Sequence, residues 1–273
     1  MSVGFHEGEL AVQRHAGVER LASRLEGMLD RPQLDGGPAK FLAQRDLAFV
    51  TARDGTGRLW TSPLFGTPGF LDARDTTLTV HAAPEPGDPL EGVRPRQRVG
   101  ILVIDFPIKR RFRINGTLTG FGDALTVSVD EAYGNCPSYI HRRVLPRGSA
   151  RPGSVGRQLT ARDRALIGRA DTMILGTTHP ERGMDTSHRG GEPGFVRVDG
   201  DELVWPDLAG NNLFNSMGNL VVDPSASLLF ADFETGARLQ LSGSAEVEWH
   251  PSTGGGDTGR QVRFTPSWVV STD

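Results

Sequence analysis

Two polar segments in the second half of the chain carry residue types that bind an anion. Residues 187–191 read Ser-His-Arg-Gly-Gly, where His188 and Arg189 offer donors and the glycines let backbone N–H groups approach closely. Residues 210–219 hold four asparagines before a short predicted helix, whose N-terminus attracts phosphate. Trp205 offers a flat face for ring stacking. These parts favour a ligand with a phosphate and a planar heteroaromatic ring; the alternative is a polar turn with asparagine caps.

A basic stretch in the first half could complete such a site. Residues 109–113 read Lys-Arg-Arg-Phe-Arg, and strand alternation places Arg111 and Arg113 on one face with Phe112 on the other. The two arginines would then reach the anion across an interface between the halves. The alternative is a charged hairpin edge that discourages aggregation.

A second dense stretch, residues 135–143, offers residues for a cleft. Cys136 and His141 are five positions apart, which is not an established nucleophile–base spacing, and we expect Cys136 to be a small buried hydrophobe. Tyr139 and Arg142 are expected to line a cleft instead. The seven histidines show no His-x-His or His-Glu-x-x-His spacing, so we expect no metal and assign no catalytic side chain.

The sequence repeats itself. A shift of 125 positions places Thr61-Ser62 on Thr186-Ser187, and a shift of 127 places residues 111–116 on 238–243. Each copy reads as five or six short antiparallel strands with one helix at most. Closure into a small barrel would remove the exposed edges of such a sheet, and two barrels would pack about a pseudo-twofold axis.

The two copies differ where a ligand would bind. At the positions of Ser187–Gly191 in the second copy, the first copy has Ser62-Pro-Leu-Phe-Gly66. The asparagine-rich residues 210–219 are likewise confined to the second copy. Duplication followed by loss of one site leaves this pattern, so we predict one ligand site per chain.

Composition narrows the classes of function. The 273 residues carry a net charge of −3 and are 37% hydrophobic, which is enough apolar mass for a packed core but not the basic excess of a dedicated nucleic-acid binder. No apolar run reaches the roughly 18 residues of a membrane span, and the N-terminal residues lack a signal-peptide core. The single cysteine fits a reducing compartment, so we predict a cytoplasmic protein without membrane or nucleic-acid partners.

We predict a mainly β protein with flanking helices in three parts. Residues 1–45 form a helical segment, based on apolar residues at three-to-four spacing from Val18 onward. Residues 46–150 form the first barrel unit, with the degenerate site, and residues 151–273 form the second, with the ligand site. The Pro- and Gly-containing stretch 146–160 is the predicted linker.

The motifs of residues 171–233 resemble the pyridoxamine 5'-phosphate oxidase-like group, in particular its bacterial flavin-nucleotide-binding branch. They are Ser-His-Arg-Gly-Gly, Leu-Val-Trp-Pro-Asp, Gly-Asn-Asn-Leu-Phe-Asn-Ser-Met-Gly-Asn-Leu and Leu-Leu-Phe-Ala-Asp-Phe. Residues 111–116 and 136–143 also resemble that branch, and the likeness runs from about residue 5 to 249. It implies the FMN-binding split barrel, usually a homodimer with flavin at the subunit interface. The chain would then be a tandem pair of split β-barrels forming an intrachain pseudo-dimer.

The resemblance implies FMN held by the second unit. The implied cofactor-binding residues are Ser187, His188, Arg189, Gly190, Trp205, Pro206, Asp207, Asn211, Asn212, Asn215 and Ser216, completed by Arg111 and Arg113 of the first unit. Two departures argue against pyridoxamine phosphate itself as substrate. Asn215-Ser216 stand where true oxidases place a phosphate-binding lysine, and the tail 263–268 lacks their substrate motif.

The sequence therefore predicts a flavin-dependent oxidoreductase acting on an unidentified small molecule that enters beside Trp205 and Tyr139. A nicotinamide nucleotide or a separate reductase would donate electrons, and a homodimer of the chain is left open. Alternatives are a non-catalytic flavin carrier, FAD as cofactor, a deazaflavin protein using the basic stretch 109–113, and an interaction module. A haem-binding split barrel is a further alternative, whose axial ligand would come from His188, His141 or Cys136.

Overall fold

The computed structural model describes residues 4–29, 32, 34–122, 124–148 and 152–272, and strands dominate it. The strands of the first unit are β1 (Leu47–Arg53), β2 (Leu59–Phe65), β3 (Leu71–Arg74), β4 (Thr77–Val80), β5 (Gln97–Asp105), β6 (Arg110–Gly120) and β7 (Leu125–Gly134). Those of the second are β8 (Pro152–Gly156), β9 (Thr172–His179), β10 (Gly183–Gly190), β11 (Arg197–Asp199), β12 (Glu202–Pro206), β13 (Ser225–Ala231), β14 (Arg238–Trp249) and β15 (Arg260–Thr272).

The two sheets have the same strand order. The first runs β2-β1-β5-β6-β7-β4-β3 and the second β10-β9-β13-β14-β15-β12-β11, with β8 added beside β15. The registers agree as well: Ala48 lies opposite Leu64, and Met173, 125 positions later, lies opposite Arg189. Equal order and equal register confirm the internal repeat and the mainly β, tandem fold class.

Each sheet curls around its own core. Alternate residues of a strand point to opposite faces, so Ala48 and Val50 of β1 join a core to which β1–β7 all contribute. The intervening Phe49 points outward into a separate apolar cluster that also contains Ile174. Phe49 and Ile174 occupy equivalent positions of the repeat, so the units meet through equivalent surfaces, as a pseudo-twofold dimer does.

The helices lie outside the sheets. They are α1 (Glu7–His15), α2 (Glu19–Ala22), a 3-10 helix (Ser23–Leu29), α3 (Gly37–Ala43), α4 (Ala161–Arg169) and α5 (Asn215–Val222). Within the predicted helical segment 1–45, the described residues form four short helices. Gly17, at φ +67°, follows α1 in a left-handed conformation that ends a right-handed helix, and Leu21 is 52% exposed. No described helix has the length and apolar character needed to cross a membrane.

The N-terminal helix packs on α5 of the second unit. Gly8 and Gly218 face each other so closely that a Cβ on Gly218 would lie 2.5 Å from the backbone nitrogen of Glu9. Gln13 donates to the carbonyl of Leu213 at 3.2 Å, and Asn215 donates to the Glu9 carboxyl at 3.1 Å. Residues from the far N-terminus therefore fix the position where α5 begins.

The predicted boundary between the units falls where the structure is not described. The predicted linker 146–160 includes residues 149–151, which lie outside the described residues, as do 1–3, 30, 31 and 33 of the predicted helical segment 1–45. The division into three parts stays a prediction at these points.

Candidate ligand-binding cleft

A cleft of about 860 Å³, including the open solvent at its mouth, lies between the two units. The first unit contributes β6 and the segment after β7; the second contributes β10, the loop after β12 and the first turn of α5. Sites for small molecules and cofactors commonly lie in such clefts between two domains. Polar lining residues are Arg111, Arg113, Asn135, Cys136, Ser138, Tyr139, His188, Arg189, Asp207, Asn211, Asn212, Asn215 and Ser216.

The two arginines of β6 enter the cleft from the first unit. Both lie on one face of the strand, while Phe112 between them packs against the first core. Arg113 donates two hydrogen bonds of 3.1 Å to Asp185 of β10, which ties the units together. Arg111 contacts no carboxylate among the described residues; its Nη1 instead donates to Nδ1 of His188 at 2.9 Å.

His188 holds Arg111 without neutralising it. An arginine only donates, so Nδ1 of His188 accepts and the proton of the neutral ring is on Nε2. Burial, reinforced by the charges of Arg111, Arg189 and Arg143, lowers the pKa of His188 well below its usual range. His188 is therefore a neutral acceptor that orients a guanidinium, rather than the anion donor that the sequence favours.

A second arginine cluster forms the opposite wall. Asp207 accepts from Arg189 at 3.2 Å and from Nε of Arg260 at 2.9 Å. Arg260 comes from β15 and also lies over the Phe214 ring, 5.0 Å from its centroid. One buried carboxylate thus serves two guanidinium groups.

The cleft carries an excess of positive charge. Arg111, Arg113, Arg189 and Arg260 face only the carboxylates Asp185 and Asp207, which leaves two positive charges uncompensated among these residues. Burial and the like charges of Arg113 and Arg189 lower the pKa of Arg111 to about 9. A bound anion would offset both the burial and the repulsion, because it favours the charged guanidinium.

The first turn of α5 adds backbone donors to the same wall. Phe214, at φ 60°, precedes the helix, and no side chain caps its first N–H groups. The side chains of this turn are already engaged: Ser216 Oγ donates to Asp185 at 2.8 Å, and Asn215 donates to Glu9. The N-terminus of α5 can therefore favour an anion through its backbone groups.

Apolar residues complete the cleft beside the charged end. They are Phe195, Pro206, Leu208, Ala209, Leu213, Phe214 and Met217. At the mouth, Tyr139 of the first unit donates to the carbonyl of Ala209 at 3.2 Å, and Asn211 donates to Asn135 at 2.7 Å. The cleft thus has a cationic end, apolar walls and a hydrogen-bonded clasp between the units.

Three predicted site residues lie outside the cleft lining. Trp205 is 1% exposed and packs in the second core, because it shares the inward face of β12 with Leu203, so it offers no ring face for stacking. Ser187 is buried behind the wall, where its Oγ lies 3.0 Å from Ser216 Oγ. Arg142 turns to the carbonyl of Pro107 at 2.7 Å. The remaining predicted residues, Gly190 and Pro206 included, line the cleft together.

Sequence reasoning missed residues of the cleft lining and two residues outside the lining, Asp185 and Arg260, that bind its charged side chains. Cys136, expected to be buried, is exposed and lines the cleft, 2.9 Å from Ser138 Oγ. The hydrogen bonds from Ser138, with a smaller contribution from Arg111, lower the pKa of this thiol. Asp185 could have been suspected as an acidic residue within the otherwise buried β10, whereas Arg260 carried no local signal.

The equivalent place in the repeat, where β14 of the second unit meets β2 of the first, is built differently. Arg238 and Gln240 of β14 hold the positions of Arg111 and Arg113. Nη2 of Arg238 donates to the Glu85 carboxylate at 2.6 Å, and Gln240 donates to Asp88 at 3.2 Å. Carboxylates of the chain itself therefore compensate the arginine in this copy.

One histidine-containing cluster lies elsewhere. The nearest ligand atoms of His6, Glu7 and His179 lie within 4.8 Å of one another. However, Nδ1 of His6 accepts from the Gly8 amide, Nδ1 of His179 accepts from two backbone amides, and its Nε2 lies 3.1 Å from Glu7. Neither neutral ring keeps a free lone pair, so the cluster does not offer the ligands that a metal requires.

No protein-family profile matches the sequence, and a search of curated proteins gives no match. Among solved structures, a putative pyridoxamine 5'-phosphate oxidase from Lactobacillus delbrueckii is 14% identical, with a TM-score of 0.35 over 41% of this chain and 93% of that chain. The FAD binding protein from Mycobacterium smegmatis is 12% identical, with a TM-score of 0.30 over 43% and 97%. HutZ, the haem storage protein from Vibrio cholerae, is 14% identical, with a TM-score of 0.31 over 42% and 95%. One of these similar structures carries the name of the pyridoxamine 5'-phosphate oxidase group, which the chain's sequence motifs resemble.

Proposed function

We propose that the cleft binds FMN and that the protein is a flavin-dependent oxidoreductase. The observation that carries the proposal is the uncompensated charge beside apolar walls: Arg111 has no carboxylate partner among the described residues, and the arginine cluster keeps two excess positive charges. A phosphate monoester carries a charge of about −1.5 to −2 at neutral pH. Riboflavin, which lacks this group, would leave the charge unmatched.

The residues present fit both parts of such a ligand. Arg111 and Arg113, with the backbone donors of the first turn of α5, would hold the phosphate, because guanidinium and helix N-terminus both favour an oxyanion. The apolar walls around Pro206 and Phe214 would cover the ring. Tyr139 is 41% exposed at the mouth of the cleft, and a substrate would enter past this residue.

A bound flavin would supply the hydride and electron transfer, and the chain supplies binding, orientation and charge. Arg189, fixed by Asp207, adds positive charge to the wall and would favour negative charge on a ligand next to it. The electron donor in this proposal is a nicotinamide nucleotide or a separate reductase. The substrate is a small molecule of unassigned class, and the cytoplasmic location stays a prediction.

Haem is a weaker candidate, although one similar structure is named as a haem storage protein. An axial histidine needs a free lone pair, and in His188 Nδ1 accepts from Arg111 while Nε2 carries the proton. Ligation through Nε2 would bring a protonated Nδ1 against the Arg111 guanidinium. This geometry opposes iron at His188.

The test is a visible absorption spectrum of the purified protein, followed by titration with FMN and with riboflavin. We expect flavin bands, and FMN binding about 100-fold tighter than riboflavin, since charge-assisted hydrogen bonds contribute roughly 1.5–3 kcal/mol each. A colourless protein that takes up neither flavin would overturn the proposal. Reduction by a nicotinamide nucleotide with rapid reoxidation by an acceptor would favour the enzyme over a carrier.

A further inference from the structure

The counterpart of the cleft, where β14 of the second unit meets β2 of the first, holds a buried cation. Arg238 is 4% exposed, and its Nε has no hydrogen-bond partner. The Glu85 carboxylate accepts from Nη2 of Arg238 at 2.6 Å and from Nε of Arg147 at 3.0 Å. A carboxylate bridging two guanidinium groups is the arrangement that an oxyanion ligand would adopt.

The neighbouring polar groups complete a cradle. Gln240 donates to the carbonyl of Thr61 at 3.0 Å and to Asp88 at 3.2 Å, and Ser62 also donates to Asp88. Ser62 is the counterpart of Ser187 in the repeat. Two side-chain donors and two guanidinium groups thus converge on the carboxylates of one segment.

We propose that this place is a second anion-binding site, which the chain closes with its own Glu85 and which takes a phosphate group when that carboxylate is removed. Arg238 stands where Arg111 stands in the cleft, and Glu85 stands where the ligand's anion would bind. The inference concerns a different location from the proposed flavin site, so it does not depend on which ligand the cleft accepts.

The segment that carries Glu85 can lose this contact without losing its anchor. Residues 81–96 contain neither helix nor strand, and Leu90 and Val93 fix the segment by packing into the first core. Glu85 lies on the N-terminal side of this anchor. Replacing its carboxylate therefore leaves the apolar contacts in place and removes charge compensation alone.

The test uses inorganic phosphate as the probe and R111Q as the background, so that the cleft contributes little binding. R111Q/E85A is compared with R111Q/E91A by isothermal titration calorimetry. Glu91 lies on the same segment but accepts from the Gly87 amide rather than from an arginine, which makes it a matched control. We expect E85A to tighten phosphate binding about tenfold or more relative to E91A, because the vacated position and a charge-assisted contact become available.

Equal phosphate affinity in the two double variants would overturn the inference. If E85A lowers the melting temperature, phosphate should restore it in R111Q/E85A and not in R111Q/E91A; absence of that restoration would also count against the site. Failure of the flavin proposal appears separately, as an R111Q variant that keeps its preference for FMN over riboflavin.

Discussion

The two equivalent places in the repeat use the same scaffold with opposite electrostatic outcomes. At one place, Arg238 of the second unit is compensated by Glu85 of the first; at the other, Arg111 of the first unit is held by the neutral ring of His188 of the second. The counterpart of His188 in the first unit is Pro63, which accepts nothing through its side chain. The strand order and the position of the arginine are the same at both places. Whether a place can bind an anionic ligand therefore depends on whether the chain supplies its own carboxylate to the arginine.

The largest expected effect comes from removing the uncompensated charge. R111Q should weaken FMN binding by about 100-fold and leave riboflavin binding nearly unchanged, since it deletes charge-assisted contacts with the phosphate alone. Fluorescence titration with both flavins measures this. R110Q is the matched control, because Arg110 lies next in the strand but packs over the Phe41 ring, away from the cleft. Equal losses for FMN and riboflavin would contradict the charge argument.

The second test gives Arg111 the kind of carboxylate partner that Arg238 has. H188D would give Arg111 a carboxylate, as Glu85 gives Arg238 one, and should weaken FMN binding by roughly tenfold or more relative to H188N. The H188N variant keeps a neutral acceptor and serves as the control. The comparison fails if H188D and H188N bind FMN equally in the same titration.

A third test addresses α5, which the first unit lacks. G218A would place a Cβ 2.5 Å from the Glu9 backbone and push α1 away, which should lower the free energy of unfolding by about 1–3 kcal/mol and weaken FMN binding. G168A, in α4, is the control: its Cβ would meet nothing within 4 Å, so a small stabilisation is expected. Urea unfolding measures both. If G218A leaves the free energy of unfolding and FMN binding unchanged, α1 and α5 can move apart at little energetic cost.

His188, which has no histidine counterpart in the first unit, should make the stability of the protein depend on pH. Burial lowers the pKa of His188, so the unfolded chain takes up a proton below about pH 6.5 that the folded chain refuses. Its stabilisation is therefore complete above that pH and is lost as the pH falls, by up to about 1.4 kcal/mol per unit. Urea unfolding of H188N between about pH 7 and pH 5 should show a shallower loss. Parallel curves for the two proteins would contradict the buried neutral histidine.

The smallest expected effect lies at the clasp. Y139F removes one hydrogen bond to Ala209, which contributes about 0.5–1.5 kcal/mol, so FMN should dissociate a few-fold faster. Stopped-flow measurement of release tests this, with riboflavin release as an internal comparison that should change equally. A larger change for FMN than for riboflavin would mean that Tyr139 acts on the phosphate end.

Much of the fold was predictable because the repeat preserves both strand order and register. The arginines of β6 were predictable for the same reason, since strand alternation alone assigns them to one face. Trp205 was misread although the same rule applied, because Leu203 already marked the inward face of β12. The partners of the arginines were not predictable: Asp185 and Arg260 lie 72 and 53 residues from the groups they bind, and only the packed structure brings them together.

The two units meet through the apolar surface around Phe49 and Ile174, and this contact should not depend on the protein concentration. When two separate chains form a site at their boundary, the site disappears as the monomers come apart, and apparent affinity follows protein concentration. Here both halves belong to one polypeptide, so their effective concentration is set by the connection and not by the solution. Ligand affinity measured at nanomolar protein should therefore equal that measured at micromolar protein.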